Sequence, residues 1–171
     1  MVDASPAPLA EVELRDCASG SGPTCRRILD ALPAWFGIPE AVEMYVEFAD
    51  RSQTVVASIA GIDVGLLTIE HHSPCAAEVH LIAVLPEHHR RGTGATMLRH
   101  AERTLSDAGV ESLQVKTLSE RHPDEGYAKT RAFYAANGFR PLEEFPTLWD
   151  PENPALQMVK YIASPHAHRD E

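Results

Sequence analysis

The sequence predicts an α/β or α+β fold in one domain, on three observations. Apolar residues alternate with period two in some segments and recur at three- and four-residue spacing in others. The two kinds of segment interleave along the chain instead of forming separate blocks. The chain has 171 residues and no internal repeat, which suits a single buried core.

Residues 1–8 read as a mobile end, and a short strand follows at Leu9–Leu14. Cys25, Ile28, Leu29 and Leu32 have helical spacing within Thr24–Leu32, and Pro33 stops that helix. A loop rich in large apolar residues, Ala34–Pro39, leads into a second helix that has Pro39 and Glu40 in its first turn. Thr54–Ala60 is a β-branched strand; Gly61 and Asp63 turn the chain into the return strand VGLLTIE. Ser73-Pro74 breaks the chain again. In the next strand Ala77, Val79, Leu81 and Ala83 alternate with Glu78, His80, Ile82 and Val84.

Past a basic, glycine-containing loop, Ala95, Leu98, Ala101, Leu105 and Ala108 share one helix face, and Gly109 ends the helix. Leu113–Leu118 is a strand, His122–Gly126 a polar loop, and Tyr127–Asn137 a helix closed by Gly138. A loop at Trp149–Pro154 and a last strand, Leu156–Ile162, complete a domain over 9–162, with 163–171 as a second mobile end.

Composition narrows the function classes. Fifteen basic against twenty-five acidic residues give a net charge of −10, which disfavours a nucleic-acid partner and leans slightly towards a cationic small molecule. No apolar run is long enough to span a bilayer, and the N-terminus lacks the pattern of a secretory signal. Cys17, Cys25 and Cys75 share no metal-ligand spacing, no metal site is read, and a reducing cytoplasm is the expected location. His71, His72 and His88 have no ligand geometry and are expected in solvent.

The most informative stretch is EVHLIAVLPEHHRRGTGATMLRHAE, Glu78 to Glu102. A strand runs into a basic, glycine-containing turn at a helix N-terminus, where unpaired N–H groups and the helix dipole favour phosphate. A dinucleotide fingerprint needs glycine where Met97 stands, and a nucleotide-triphosphate loop needs Gly-Lys-Ser/Thr, which is absent. Gly92 and Gly94 alone permit only a tight turn; Arg90 and Arg91 beside them add weight to an anion site.

Val84-x-Pro86-x-x-His89-Arg90-Arg91-Gly92-Thr93-Gly94 closely resembles the first motif of the GNAT superfamily of N-acetyltransferases. Tyr127-Ala-Lys-Thr-Arg131-Ala-Phe133-Tyr134-Ala-Ala-Asn-Gly138-Phe139 is similar to that superfamily's second signature. The string EGYAKTRAFY…GF with LWDPENP also resembles a bacterial subgroup, without naming its substrate. The resemblance implies a mixed, mostly antiparallel sheet of six to seven strands, splayed at the cofactor site and flanked by about four helices. It implies acetyl-CoA as cofactor, with Arg90, Arg91, Gly92, Thr93, Gly94, Ala95 and Thr96 cradling the pyrophosphate. His89 stands where the superfamily has glutamine or arginine, so it either contacts pyrophosphate with weaker charge complementarity or is a solvated loop residue.

The implied reaction is direct attack of a primary amine in a ternary complex, with no cysteine required. Backbone groups near Ile82, Ala83 and Val84 would hold the pantetheine arm. Tyr134 matches the tyrosine that protonates the departing thiolate, while Arg131 and Phe133 are structural or on the cofactor side. Glu78 and His80 share a strand face, and each is either the general base or a paired strand residue. Trp35, Phe36, Tyr45 and Trp149 either line the acceptor pocket or plug the sheet. The acceptor is a small-molecule or peptide amine, and a homodimer stays open. The rival readings are a catalytically silent acyl-CoA-binding domain and a lysine or N-terminal protein acetyltransferase.

Overall fold

A computed structural model describes residues 11–162. The elements are β1 (Val12–Cys17), α1 (Gly22–Asp30), α2 (Pro39–Arg51), β2 (Thr54–Ile59), β3 (Ile62–Ser73), β4 (Ala76–Val84), α3 (Thr93–Asp107), β5 (Ser112–Leu118), α4 (Glu125–Ala136), β6 (Arg140–Asp150) and β7 (Asn153–Tyr161). The seven strands form one α+β sheet in the order β1-β2-β3-β4-β5-β7-β6. All neighbours are antiparallel except β4 and β5, which α3 joins by a parallel crossover. Among the described residues no helix is long and apolar enough to cross a membrane.

The core follows the helical and strand patterns. Ile28 and Leu29 of α1 and Met97, Leu98 and Leu105 of α3 are almost fully buried with Leu66, Leu67 and Leu113 of the sheet. Each such side chain contributes roughly 1.5–3 kcal/mol of burial. Cys25 lies among them, and burial pushes its thiol up to about 12, so it is packing and not a nucleophile.

Three features differ from the sequence reading. The first strand lies at Val12–Cys17 instead of starting at Leu9, which falls with the expected mobile ends outside the described residues. Arg140–Asp150 is a strand that no alternating pattern announces. Pro141 and Pro146 remove donors that a central strand needs, and β6 accordingly sits at the sheet edge. The expected loop at Trp149–Pro154 shrinks to a hairpin turn. Asp150 pairs there with Asn153, and its carboxylate accepts from the Glu152 and Asn153 amides at 2.8 and 2.9 Å.

Two irregularities in β4 prepare the site. Thr68 faces Leu81 while Ile69 faces Val79, so His80 is an extra residue on β4, a bulge without a partner on β3. On the other side, β4 pairs with β5 only from Ala76–Ser112 to Glu78–Gln114. Beyond that point β4 follows β3 as far as Val84, β5 follows β7 as far as Leu118, and the two strands part.

Candidate active site

The parted strands lead to the start of α3. After β4, Pro86–His88 forms one 3-10 turn, Arg90 takes φ 60° and Gly92 takes φ 83°, and α3 begins at Thr93. Gly92 supplies a left-handed conformation that a side chain would strain. No side chain caps α3, and its first turn carries no acidic residue. The first bond back to the cap runs from the Thr96 amide to the Gly92 carbonyl at 2.9 Å, so the amides of Thr93, Gly94 and Ala95 have no intrahelical acceptor. The Thr93 hydroxyl is buried and has no hydrogen-bond partner among the described residues. Arg90 and Arg91 are exposed beside these donors, and the Thr96 hydroxyl accepts from Arg99 at 3.1 Å.

Gly94 serves a different purpose from Gly92. A Cβ there would lie 3.3 Å from Phe133 Cζ and 3.8 Å from Ile82 Cδ1. Its missing side chain lets α4 close against the α3 start. Arg131, on the same helix, donates to the carbonyls of Leu118 and Ser119 at 2.9 and 3.1 Å. It thereby ties α4 to the end of β5.

His89 is not placed as a pyrophosphate ligand through Nε2. That nitrogen lies 2.6 Å from the Val84 carbonyl, and the ring meets Trp35 edge-on at 5.6 Å. The histidine ties the loop to the strand, which leaves Arg90 and Arg91 as the loop's cationic side chains.

At the fork itself lies a polar network. Glu78 is 4% exposed, and its Oε2 meets His72 Nε2 at 2.8 Å, Gln114 Nε2 at 2.7 Å and the Lys116 ammonium. Burial pushes this carboxyl up, but the Lys116, His72 and Gln114 hydrogen bonds together outweigh it and hold it below the ordinary carboxylate range. Such an ionised carboxylate, with three donors on its Oε2, is a weak base. Glu70, His72 and Glu78 each bring one polar side-chain atom within 4.8 Å of the others, and within this group the Lys116 ammonium pairs with Glu78. His72 is exposed, as expected, and reaches this network through Glu78.

His80, the bulge residue, projects against α2. Its ring stacks on Phe48 at 4.0 Å and meets Tyr45 at 5.6 Å, and Nδ1 lies 3.3 Å from Glu70 Oε2. Burial lowers its pKa, against opposition from Glu70 and Glu78. Near neutral pH the ring is therefore uncharged and able to accept a proton.

Tyr134 is buried between Phe133 and Phe139, with ring centroids at 5.4 and 5.6 Å. Burial first, then Tyr45, Glu78 and Tyr127, raise its pKa, so the phenol keeps its proton. Phe36 contacts Tyr45 at 5.7 Å, and the Trp35 carbonyl accepts from the Tyr127 hydroxyl at 3.1 Å. Trp35, Phe36 and Tyr45 therefore form a continuous wall from α2 to the α3 loop. Trp149 does not join it: it stands half-exposed on β6 with no ring contact among the described residues. An open depression of about 500 Å³ between α1 and α2, lined by Arg26, Glu47 and Asp50 among others, includes none of these groups.

Sequence reasoning missed Glu70, Phe48, Gln114 and Lys116. Gln114 and Lys116 alternate with apolar residues in LQVKTL, a readable sign that they share a strand face. Nothing local reveals that Glu70 lies opposite Glu78, because that pairing depends on the β3–β4 register.

A family model described as the acetyltransferase (GNAT) domain matches residues 50–141. No curated protein matches the sequence. A GNAT-family protein from Desulfovibrio desulfuricans superposes with a TM-score of 0.78 at 19% identity, over 90% of this chain and 100% of that one. A GNAT-family acetyltransferase from Elizabethkingia anophelis with acetyl-CoA bound gives 0.67 at 13%, over 88% and 97%. The aminoglycoside 6'-N-acetyltransferase from Enterococcus faecium gives 0.67 at 16%, over 88% and 97%. At these identities the structural likeness is one of fold. The domain match spans more than half of the chain and covers β4, the uncapped α3 start and α4: the protein belongs to the GNAT acetyltransferase family.

Proposed function

We propose that this protein transfers an acetyl group from acetyl-CoA to a primary amine, by direct attack within a ternary complex. The observation that carries this reading is the gap between β4 and β5, which opens past Glu78 and Gln114 and leads to the uncapped start of α3. The residues present suit the cofactor. The amides of Thr93, Gly94 and Ala95, the unpartnered Thr93 hydroxyl and the exposed Arg90 and Arg91 are donors and charges for a pyrophosphate. Backbone groups of Ile82, Ala83 and Val84, on the edge of β4 that has left β5, are available to an extended amide-bearing chain. Acetyl-CoA would supply a thioester carbonyl as electrophile and a thiol as leaving group.

His80 is the general base in this reading, since it is neutral near pH 7 while Glu78 is tied to three donors. Glu78 and Glu70, with the rings of Tyr45 and Phe48, favour an acceptor that arrives as a cation. Lys116 already sets an alkylammonium against Glu78, an arrangement that a substrate ammonium can imitate. Tyr134 holds a proton on its hydroxyl as the acid.

Titration calorimetry with acetyl-CoA, followed by a thiol-release assay over a panel of primary amines, tests the proposal. Binding and turnover on at least one amine are expected, and replacing Arg91 and Gly92 together weakens binding. Absence of binding overturns the proposal; binding without turnover on any amine replaces it with an acyl-CoA-binding domain.

A further inference from the structure

We propose that Glu70 is a positioning residue that sets the tautomer of His80, keeping the proton on Nδ1 and leaving Nε2 as the proton acceptor. The inference rests on the acyl-transfer reading above and adds a residue to its machinery.

The geometry has three parts. The β4 bulge takes His80 out of the regular pairing with β3, while Glu70 on β3 stays in register with Glu78. The stack on Phe48 and the tilted contact with Tyr45 restrict rotation of the imidazole. With the ring so held, Glu70 Oε2 lies 3.3 Å from Nδ1, and no described residue hydrogen-bonds Nε2. A carboxylate beside one ring nitrogen stabilises the proton there, which makes the other nitrogen the base. Free histidine favours the opposite tautomer, so the effect of Glu70 is observable.

The charges around the ring are accounted for. Burial lowers its pKa, Glu70 and Glu78 raise it, and Lys116 lowers it. Tyr45 faces it as a neutral phenol, its own pKa raised by burial. Arg51 lies 6.0 Å from the Phe48 ring centroid, and His72 reaches the network through Glu78. Glu70 alone among these groups contacts a ring nitrogen. Lys116 pairs with Glu78, and no Lys or Arg among the described residues pairs with Glu70, so removing Glu70 takes away a negative charge beside His80.

Nitrogen-15 NMR of the imidazole across pH tests this on the whole protein, without needing turnover. In the wild type, neutral His80 should be the Nδ1–H form. Glu70→Gln should mix in the Nε2–H form and move the His80 titration to lower pH, and Glu70→Asp should restore part of both. The amide spectrum checks that each variant folds. Under the transfer reading, Glu70→Gln lowers kcat/KM at pH 7 by about tenfold and leaves acetyl-CoA affinity unchanged. A wild-type Nε2–H tautomer, or an identical tautomer and titration in Glu70→Gln, overturns the inference. If NMR behaves as expected and no amine is acetylated, the hold of Glu70 on His80 stands and the transfer reading falls.

Discussion

The two ends of the candidate site are made of different material. At the start of α3 the site is backbone: three amides without helical acceptors, a left-handed Gly92, and Gly94 seated against Phe133. At the fork it is side chains from four elements, Glu70 and His72 from β3, Glu78 and His80 from β4, Lys116 from β5 and Tyr45 with Phe48 from α2. A backbone site depends on conformation and answers to changes of shape. A side-chain network depends on charge balance and answers to pH. The first suits an anion common to a whole family; the second suits proton transfer and the choice of acceptor.

That contrast separates the effects of substitution. His80→Ala should produce the largest change, lowering kcat by about 100-fold or more as general-base catalysis is lost, with acetyl-CoA affinity retained. Steady-state kinetics beside calorimetry decides it, and a parallel loss of affinity would merge the two ends into one unit. In the wild type, kcat should rise through a pKa below the ordinary imidazole value, because burial lowers that of His80.

Gly94→Val is the counterpart at the backbone end. Its added methyls meet Phe133, and overpacking on the order of 1–3 kcal/mol should weaken acetyl-CoA about tenfold or more. The shape of the pH–rate curve should not change; a shifted acid limb would show that the loop reaches the network.

Lys116→Met tests the charge balance itself, with the smallest effect. The folded-state pKa of Glu78 is lowered, so its contribution to stability is present above the unfolded value and is lost as pH falls through the folded one. Without Lys116, burial lifts that carboxyl. Stability at pH 7 should drop by about 1–3 kcal/mol, and thermal unfolding followed against pH should show the acid-side decline beginning at higher pH. Superimposable curves would mean that His72 and Gln114 alone hold the charge.

The same contrast explains how much could be read in advance. The α3 start was legible because its determinants are contiguous: Pro86 ends the strand, Gly92 permits the turn, and α3 follows at once. Tyr134 and Phe139 were legible for the same reason, lying within and just after one helix. The contacts of His89 with the Val84 carbonyl and Trp35 are not legible in the sequence, because they depend on how the loop folds back. β6 was missed because an edge strand needs no buried face and so carries no alternating pattern. The place of Trp149 on β6 is hidden for the same reason.

By itself the sequence determined the order of strands and helices apart from β6, the glycine-bearing turn at the start of α3 and the tyrosine on α4. These depend on periodicity, glycine conformation and helix termini, which act over a few residues. Only the tertiary structure decided that His80 is a bulge facing Glu70, that Lys116 neutralises Glu78, and that β4 and β5 part after three pairs. Those facts depend on strand register, and register is set by packing between segments far apart in the chain.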